Sequence, residues 1–395
     1  MLGIWLRQSL LLRPSQRSWV TRFTFLASSL SRPTTGWLAT GLFLPSLSQA
    51  ESFSQYDLII GAPGKWTPPS FPLSVLQDRG LHYIDQNGDR NPKYPLEPLF
   101  RSVLVEKPDF SLSSLDLVTD RNNFRKILMM LTKEGNEKFR IDIQLVGKTL
   151  LFTLWEENTR EFITEFRGYG HSFEENCTTY ASELRKSTGH HRVIKYNLDG
   201  LEVVMRFEVD AYLANTGMSL SGGSSTDPIA SSELDTLTSA FKSIQLNSLQ
   251  NPKVPPTEKR SESTLQVLQG GYKVPHNSLV ELKTRAHHRP LQPRDVIYQL
   301  WFGQVRHLIA AYHSRGKFIR IEQKDFATSG KFSEFEQNKA NELQRLVKVV
   351  RDIRTTMVTR KLKKAVLLFD GGDLRLCERT GVWDALPSDL LSKWE

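Results

Sequence analysis

Cysteine is scarce in this chain: Cys177 and Cys377 are the only two among 395 residues. Two widely separated thiols build no disulfide framework and no C-x-x-C pair. That excludes a disulfide-stapled secreted scaffold and a structural zinc site, and it fits a reducing compartment. Long apolar runs are missing too. The best candidate, Gly36–Leu47, is interrupted by Pro45 and falls well short of the roughly 20 residues a membrane-spanning helix needs, so no stable membrane insertion is expected. No G-x-x-x-x-G-K-[ST] phosphate loop occurs. Acid is absent from the first 50 residues, which hold five arginines (Arg7, Arg13, Arg17, Arg22, Arg32) and no lysine. Such a leader suits an amphipathic mitochondrial transit peptide, with a disordered tail as the plain alternative. The expected location is the mitochondrial matrix, with cytoplasm or nucleus second. The formal charge of +9 falls to +4 once the leader is set aside. That permits a nucleic-acid partner without demanding one.

What the chain does have is ordinary globular composition, with 39% hydrophobic and 24% charged residues. Residues 62–99 carry seven prolines and read as an extended arm. Helical spacing of Phe124, Ile127, Leu128 and Leu131 predicts a helix over Ser114–Leu131. Clean alternation predicts a hairpin of Phe139–Val146 and Thr149–Trp155, turned by Gly147-Lys148. A helix is expected over Phe173–Lys186. A second hairpin, Arg192–Tyr196 with Leu201–Tyr212, turns at Asp199-Gly200. A long loop insertion is expected at about 213–276. Beyond it come a strand at Leu279–Thr284, a helix over Arg294–Gln304, strands at Arg306–His313 and Phe318–Ile321, one long helix over Glu334–Lys364, and a closing hairpin of Ala365–Phe369 with Leu374–Glu378. The sum is a single mixed α/β (α+β) domain over about 55–395, with a central, mostly antiparallel sheet flanked by helices.

Chemistry concentrates on two of these strands. Side chains alternate along a strand, so Glu208 and Asp210 share one face and Glu281 and Lys283 share another. If the strands neighbour each other, three carboxylates and an ammonium converge. Carboxylate oxygens hold Mg²⁺ or Mn²⁺, and a lysine beside them orients a water or neutralises developing charge, which suits phosphodiester cleavage. The plain reading is a solvated strand face laced with ion pairs. Against it, the acids are set among Val203, Val204, Met205, Phe207 and Val209, and among Leu279, Val280 and Leu282. Carboxylates drawn into an apolar sheet need a cation nearby. Arg192, after Gly189-His190-His191, and Arg285, in a basic run after Lys283, are candidate phosphate contacts. The arginines and lysines of the last long helix are most simply a solvated face.

The order of these segments resembles the PD-(D/E)XK nuclease superfamily and, more closely, the DXO-type decapping nucleases, which remove incomplete or non-standard caps from RNA 5′ ends. Asp116-Leu-Val-Thr-Asp-Arg121 resembles the family segment with an RNA-contacting arginine, and Gly170–Glu174 a G-Y-K-F-E helix start whose glutamate approaches the metal. Phe207–Asp210 resembles G-E-V-D, and Glu281–Thr284 reads E-L-K-T. Leu300–Gln304 resembles a W-W-A-Q helix whose glutamine lines the site. The resemblance implies a PD-(D/E)XK-like core, a Mg²⁺ or Mn²⁺ cofactor and an RNA 5′ end as partner, alongside a protein partner in RNA turnover. It also implies Glu174, Glu208, Asp210 and Glu281 as metal ligands, with Lys283 catalytic beside Glu281, Asp210 and Glu208. Arg121 and Gln304 would hold substrate. Three positions depart from the pattern: Asp120 stands for a tryptophan, Phe207 for a glycine and Ser172 for a lysine. The whole chain also resembles a set of fungal proteins labelled geranylgeranyl pyrophosphate synthetases. Its segments Ile84-Asp-Gln-Asn, Asp120-Arg-Asn-Asn, Ser187-Thr-Gly-His-His-Arg and Asp370-Gly-Gly-Asp carry that likeness, yet no D-D-x-x-D motif for a prenyl diphosphate is present.

The expectation is therefore a metal-dependent RNA nuclease or 5′-end hydrolase. A catalytically degenerate RNA-binding or partner-stabilising subunit is the second reading, and a mitochondrial DNA nuclease the third.

Overall fold

Alternating apolar and polar residues build two large sheets here, besides a two-stranded ribbon of Gly80–Tyr83 and Arg160–Ile163, and the chain passes between the large sheets more than once. The computed structural model describes residues 20–21, 51–57, 63–163, 168–181, 189–214, 265, 267, 272–292, 294 and 296–394. Most of the leader and most of the 213–276 insertion lie outside the described residues.

Leu117–Asp120 (β1) runs directly into Arg121–Thr132 (α1). Phe124, Ile127, Leu128 and Leu131 form the buried stripe of α1. Phe139–Val146 (β2) and Thr149–Trp155 (β3) make the expected hairpin. Gly170–Cys177 (α2) follows, then His190–Leu198 (β4) and Leu201–Val209 (β5), paired through Asp199 and Gly200. Both turn residues have positive φ, 47° and 82°, the geometry that an Asp-Gly pair favours between antiparallel strands. The remaining principal elements are Leu279–Ala286 (β6), Ile297–Gly303 (α3), His307–Ser314 (β7), Lys317–Asp325 (β8), Ala340–Thr359 (α4), Lys364–Phe369 (β9) and Leu374–Arg379 (β10).

The larger sheet has the order Val20–Thr21, β10, β9, β2, β3, β1, β5, β4, Glu51–Asp57. The smaller one runs Thr178–Thr179, Gly64–Trp66, Ala211–Tyr212, β6, β7, β8, Leu73–Ser74. Antiparallel pairing prevails, as the alternation implied. The parallel exceptions are β1 with β5 and with β3, β6 with β7, and Gly64–Trp66 with Ala211–Tyr212. The chain leaves the larger sheet at Val209 and enters the smaller at Ala211, so Asp210 sits on the crossing.

Helices α1, α3 and α4 cover one face of the larger sheet, where Phe124, Trp301, Phe302, Leu346 and Ile353 pack with Ile141, Phe152, Ile194 and Met205. Leu99, Phe100 and Val103, from helix Glu97–Glu106, cover the other face over Val118, Leu151 and Val204. Each such side chain contributes on the order of 1.5–3 kcal/mol by leaving water. Among the described residues no helix is long and apolar enough to cross a membrane.

Several boundaries differ from the sequence reading. The helix expected over Ser114–Leu131 gives up Leu117–Asp120 to β1. Leu117 and Val118 are fully buried between β5 and β3, and sheet pairing overrides helical spacing there. The helix expected from Phe173 stops at Cys177, because Thr178–Thr179 pairs with Lys65–Trp66; residues 182–188 lie outside the described residues. The long C-terminal helix is two, Lys331–Asn338 and α4, broken at Lys339. The proline-rich arm holds short strands and a helix, Gln86–Arg90, whose N-terminus is capped by Asp85 accepting from the Gly88 N–H at 2.9 Å.

Candidate active site

Glu281 stands near the start of β6, only 2% exposed. A carboxylate this deep needs compensation. Two cations supply it: Lys283 Nζ donates to Oε1 at 2.5 Å, and Arg121 Nη1 donates to Oε2 at 3.1 Å. Burial would raise its pKa, but Lys283 and Arg121 outweigh that and hold it down at about 2. Lys283 is likewise kept charged: burial pulls its pKa down, while Glu281 and Asp210 push it above the ordinary value. Arg121 comes from the first turn of α1. It lies 5.1 Å from the centroid of the Phe207 ring and also donates to the Gln299 carbonyl at 3.4 Å.

Asp210, on the crossing, accepts from the Leu282 N–H at 2.8 Å, which ties β5 to β6, and stands 4.0 Å from Lys283 Nζ. Burial, then the Glu281 charge, push it up to about 6. Glu208 accepts from Gln86 Nε2 at 3.4 Å. Its carboxyl is open to solvent along the cleft but walled by protein on its other sides. That enclosure, then the Asp210 charge, push it up to about 7. Glu174 is brought by α2, whose first N–H groups, on His171 and Ser172, donate to the Asp78 carboxylate at 3.2 and 2.9 Å. Burial, then Asp210 and Glu208, raise Glu174 well above the ordinary carboxyl value.

The fold thus gathers Glu174, Glu208, Asp210, Glu281, Lys283 and Arg121 from four elements and a crossing. Two other residues proposed from sequence go elsewhere. Arg192 is 2% exposed on β4 and donates to the Val274 carbonyl at 3.0 Å, a structural role away from solvent. Gln304 caps α3 in left-handed conformation (φ 51°), and its amide turns back onto the Trp301 carbonyl at 2.6 Å. The glutamine that lines the cleft is Gln299. Arg285 lines a neighbouring cavity.

Other residues of the cleft, to which the sequence reading gave no place in the site, come from the Ile84-Asp-Gln-Asn, Asp120-Arg-Asn-Asn and Gly189-His-His-Arg segments. Glu208 opens onto a cavity of about 320 Å³ whose wall includes Asp85, Asn87, Asn122, His191 and Gln299. Asp120, at the position of a tryptophan in the DXO-type pattern, forms a two-pronged ion pair with buried Arg206 at 2.5 and 2.9 Å. Gly189 allows the Gln86–Glu208 approach, since a Cβ there would lie 2.7 Å from Gln86 Oε1 and 3.0 Å from Glu208 Oε1. These contacts join segments far apart in sequence, and only the fold reveals them.

Among the described residues, no three His, Cys, Asp or Glu side chains are assembled as a ready cation cage. Glu281 gives both oxygens to Lys283 and Arg121 instead. The donor set still fits a hard divalent cation: oxygen-only carboxylates, each feeling the others' charge, with more acid than nearby base. The prenyl-diphosphate label finds no such fit. Asp370 spends its carboxylate on the N–H groups of Gly372 and Asp373, both at 3.0 Å, in the turn before β10.

No curated protein sequence matches this chain. Solved structures do, and they share its fold at low identity. Candida albicans Rai1, in complex with pU5-Mn2+, is 12% identical with a TM-score of 0.55, covering 95% of this chain and 98% of that one. S. pombe Rai1, in complex with 3'-FADP, is 12% identical with a TM-score of 0.51, covering 92% and 100%. Scheffersomyces stipitis Rai1 is 12% identical with a TM-score of 0.50, covering 91% and 99%. At the level of sequence family, the model of the domain of unknown function DUF8563 matches residues 40–383; the chain belongs to that family.

Proposed function

We propose that this protein is a divalent-metal-dependent RNA hydrolase acting at 5′ ends, of the decapping or 5′-nuclease type. The observation that carries the reading is the placement of Glu281 between Lys283 and Arg121, with Asp210, Glu208 and Glu174 in electrostatic reach. The Rai1-like fold, and the RNA-and-Mn²⁺ complex of one such protein, support it.

Glu208, Asp210 and Glu281 would hold Mg²⁺ or Mn²⁺, with Glu174 completing the set directly or through water. When bound, the cation supplies Lewis acidity to the phosphate and acidifies a water. The chain's own groups do the rest. Lys283, kept protonated, donates to the attacking water or to a non-bridging oxygen, and cannot serve as a base at neutral pH. Arg121 offers its remaining N–H groups to the scissile phosphate. Glu208, open to the cleft, would stay deprotonated as an oxygen ligand once the cation is bound. The acid-free leader supports a mitochondrial destination.

The occupied oxygens of Glu281 favour a second reading, a nucleic-acid-binding subunit without catalysis. The two separate on one experiment. Purified protein with Mn²⁺ is incubated with 5′-monophosphate, 5′-triphosphate and NAD-capped RNA, and with matched single-stranded DNA. RNA products are expected, abolished by Glu281→Ala. Products from DNA alone would make the protein a DNA nuclease. No product from any substrate would remove the hydrolase and leave the binding subunit.

A further inference from the structure

Of the four carboxyls at the cleft, three are held by groups already described. Glu281 has Lys283 and Arg121, Asp210 has the Leu282 N–H, and Glu174 rides on α2, whose first turn is clamped by Asp78. Glu208 is the exposed one. Such a glutamate has side-chain torsions to fix before it can hold a ligand in one geometry. Its donor comes from the proline-rich arm: Gln86 Nε2, at 3.4 Å, from the helix Gln86–Arg90. Five residues are too few to sustain a helix alone in water, so contacts from elsewhere must hold this one. Asp85 caps it, and the Ile84 and Asp85 N–H groups donate to the Thr159 carbonyl at 2.8 and 3.0 Å. The Thr159 hydroxyl donates to Asp89 at 3.0 Å. Deepest is Asn87, 5% exposed, whose Nδ2 donates to His191 Nε2 at 2.9 Å. Burial, then Arg206, hold the His191 pKa well below its ordinary value, so the ring is neutral and can accept.

The strand register gives these two contacts one target. His191 and Glu208 lie opposite each other on β4 and β5, so their side chains share a face. Successive residues of one helix, Gln86 and Asn87, thus grasp both members of a cross-strand pair. Gly189 leaves room for this, since a Cβ there would crowd both Gln86 Oε1 and Glu208 Oε1. The kind of donor matters as well. An amide N–H aims a carboxylate without cancelling its charge, whereas a lysine or arginine at this point would compete with a cation for it. Glu281, held by two cations, has the contrasting arrangement.

We propose that Gln86 is a positioning residue for the acid cluster: its amide holds the Glu208 carboxylate for a divalent cation shared with Asp210, and Asn87, seated on buried His191, holds Gln86 in place. The proposal rests on the cation site of the proposed hydrolase, and adds to it a fastening from the proline-rich arm. Carboxylates that bind metals are oriented by such outer hydrogen bonds, whose loss weakens affinity or activity about 10–100-fold.

The test is Mn²⁺ binding to the full chain by calorimetry, beside denaturant unfolding and RNA turnover over a series of Mn²⁺ concentrations. Gln86→Met keeps the length of the side chain and removes the donor. It should bind Mn²⁺ about tenfold more weakly than the parent, with an unfolding midpoint close to the parent's. Turnover should fall at low Mn²⁺ and recover at high Mn²⁺, with KM for RNA within about twofold. A merely structural role would lower the unfolding midpoint and give no rescue by Mn²⁺. Gly189→Ala should reproduce the weaker binding by pushing the Gln86 amide aside, and it decides the matter if Gln86→Met does not fold. Unchanged Mn²⁺ affinity in the folded variants would overturn the positioning role, even where Glu281-dependent RNA cleavage persists. Weaker Mn²⁺ binding in them, with no RNA product from the parent, would keep the role and remove the hydrolase. A parent that binds no Mn²⁺ would overturn the role together with the cation site.

Discussion

Asp116 and Asp210 are held in nearly the same way. Asp116 Oδ2 accepts from the Glu202 N–H at 2.9 Å, and Asp210 Oδ2 accepts from the Leu282 N–H at 2.8 Å, so each aspartate pins a strand. Each also has cations beside it: Arg354 at 2.6 Å and Lys148 at 3.5 Å for Asp116, Lys283 at 4.0 Å for Asp210. Their protonation is nevertheless opposite. At Asp116 burial raises the pKa, but the Glu202 N–H, Arg354 and Lys148 outweigh it and the carboxyl sits below its ordinary value. At Asp210 burial and Glu281 dominate, and the pKa rises to about 6. Backbone anchoring and a nearby cation therefore do not mark a functional acid. The company of other acids does: charge is balanced at Asp116 and left in excess at Asp210.

The largest expected effect breaks the balanced member. Asp116→Ala strips Arg354 and the Glu202 N–H of their shared acceptor, and should cost about 2–3 kcal/mol in denaturant unfolding, since hydrogen bonds to charged groups are individually strong. Its thermal response to Mn²⁺ should match that of the parent. A variant that keeps full stability would mean the pair is a surface contact and that the contrast with Asp210 is one of exposure alone.

A smaller effect sharpens the other member. The native Asp210 carboxyl binds its proton up to about pH 6, whereas an unfolded aspartate releases its own near 3.8. Between those values the native state carries more protons, so stability falls as pH rises and the penalty is complete above about pH 6. Asp116 has the reverse slope: its contribution is present above the ordinary aspartate pKa and is lost as pH falls. In metal-free protein, Asp210→Asn should therefore gain on the order of 1 kcal/mol over the parent at pH 8 and nothing at pH 4. Mn²⁺ should stabilise the parent at pH 8 and much less at pH 5, because ligand carboxylates must be deprotonated, and it should not stabilise the asparagine variant. A parent melting temperature indifferent to Mn²⁺ at both pH values would contradict the cation site.

How much of this could be read before the fold was known follows from the range of each interaction. Alternation and the Asp-Gly pair placed β2 with β3 and β4 with β5, because hairpins are local. Glu208, Asp210, Glu281 and Lys283 were legible because acids amid aliphatic strand residues are out of place unless compensated. Arg192 misled for the same reason in reverse: an arginine beside two histidines looks like a phosphate contact, yet it is sealed under Val274. Leu117 and Val118 were assigned to a helix because their parallel partners lie on β3 and β5, about 30 and 85 residues away. Gln86 reaches Glu208 from 122 residues upstream, which no local pattern encodes.

The smallest expected effect tests whether the site's cations are positioned by packing as well as by charge. Gly303, at the end of α3, faces Arg121: a Cβ there would lie 3.4 Å from Arg121 Nη1 and from the Phe207 ring, and 3.3 Å from Val305. Gly303→Ala gains up to about 1 kcal/mol of helix propensity and loses a similar amount to crowding, so net stability should change by less than about 0.5 kcal/mol. The added methyl comes into van der Waals contact with the guanidinium that reaches Glu281 and the Gln299 carbonyl, while Val305 must give by a few tenths of an ångström. Near-unchanged unfolding with a severalfold loss of RNA turnover would show that α3 sets the aim of Arg121. Unchanged turnover would mean that the ion pair with Glu281 holds the guanidinium in place against the added methyl.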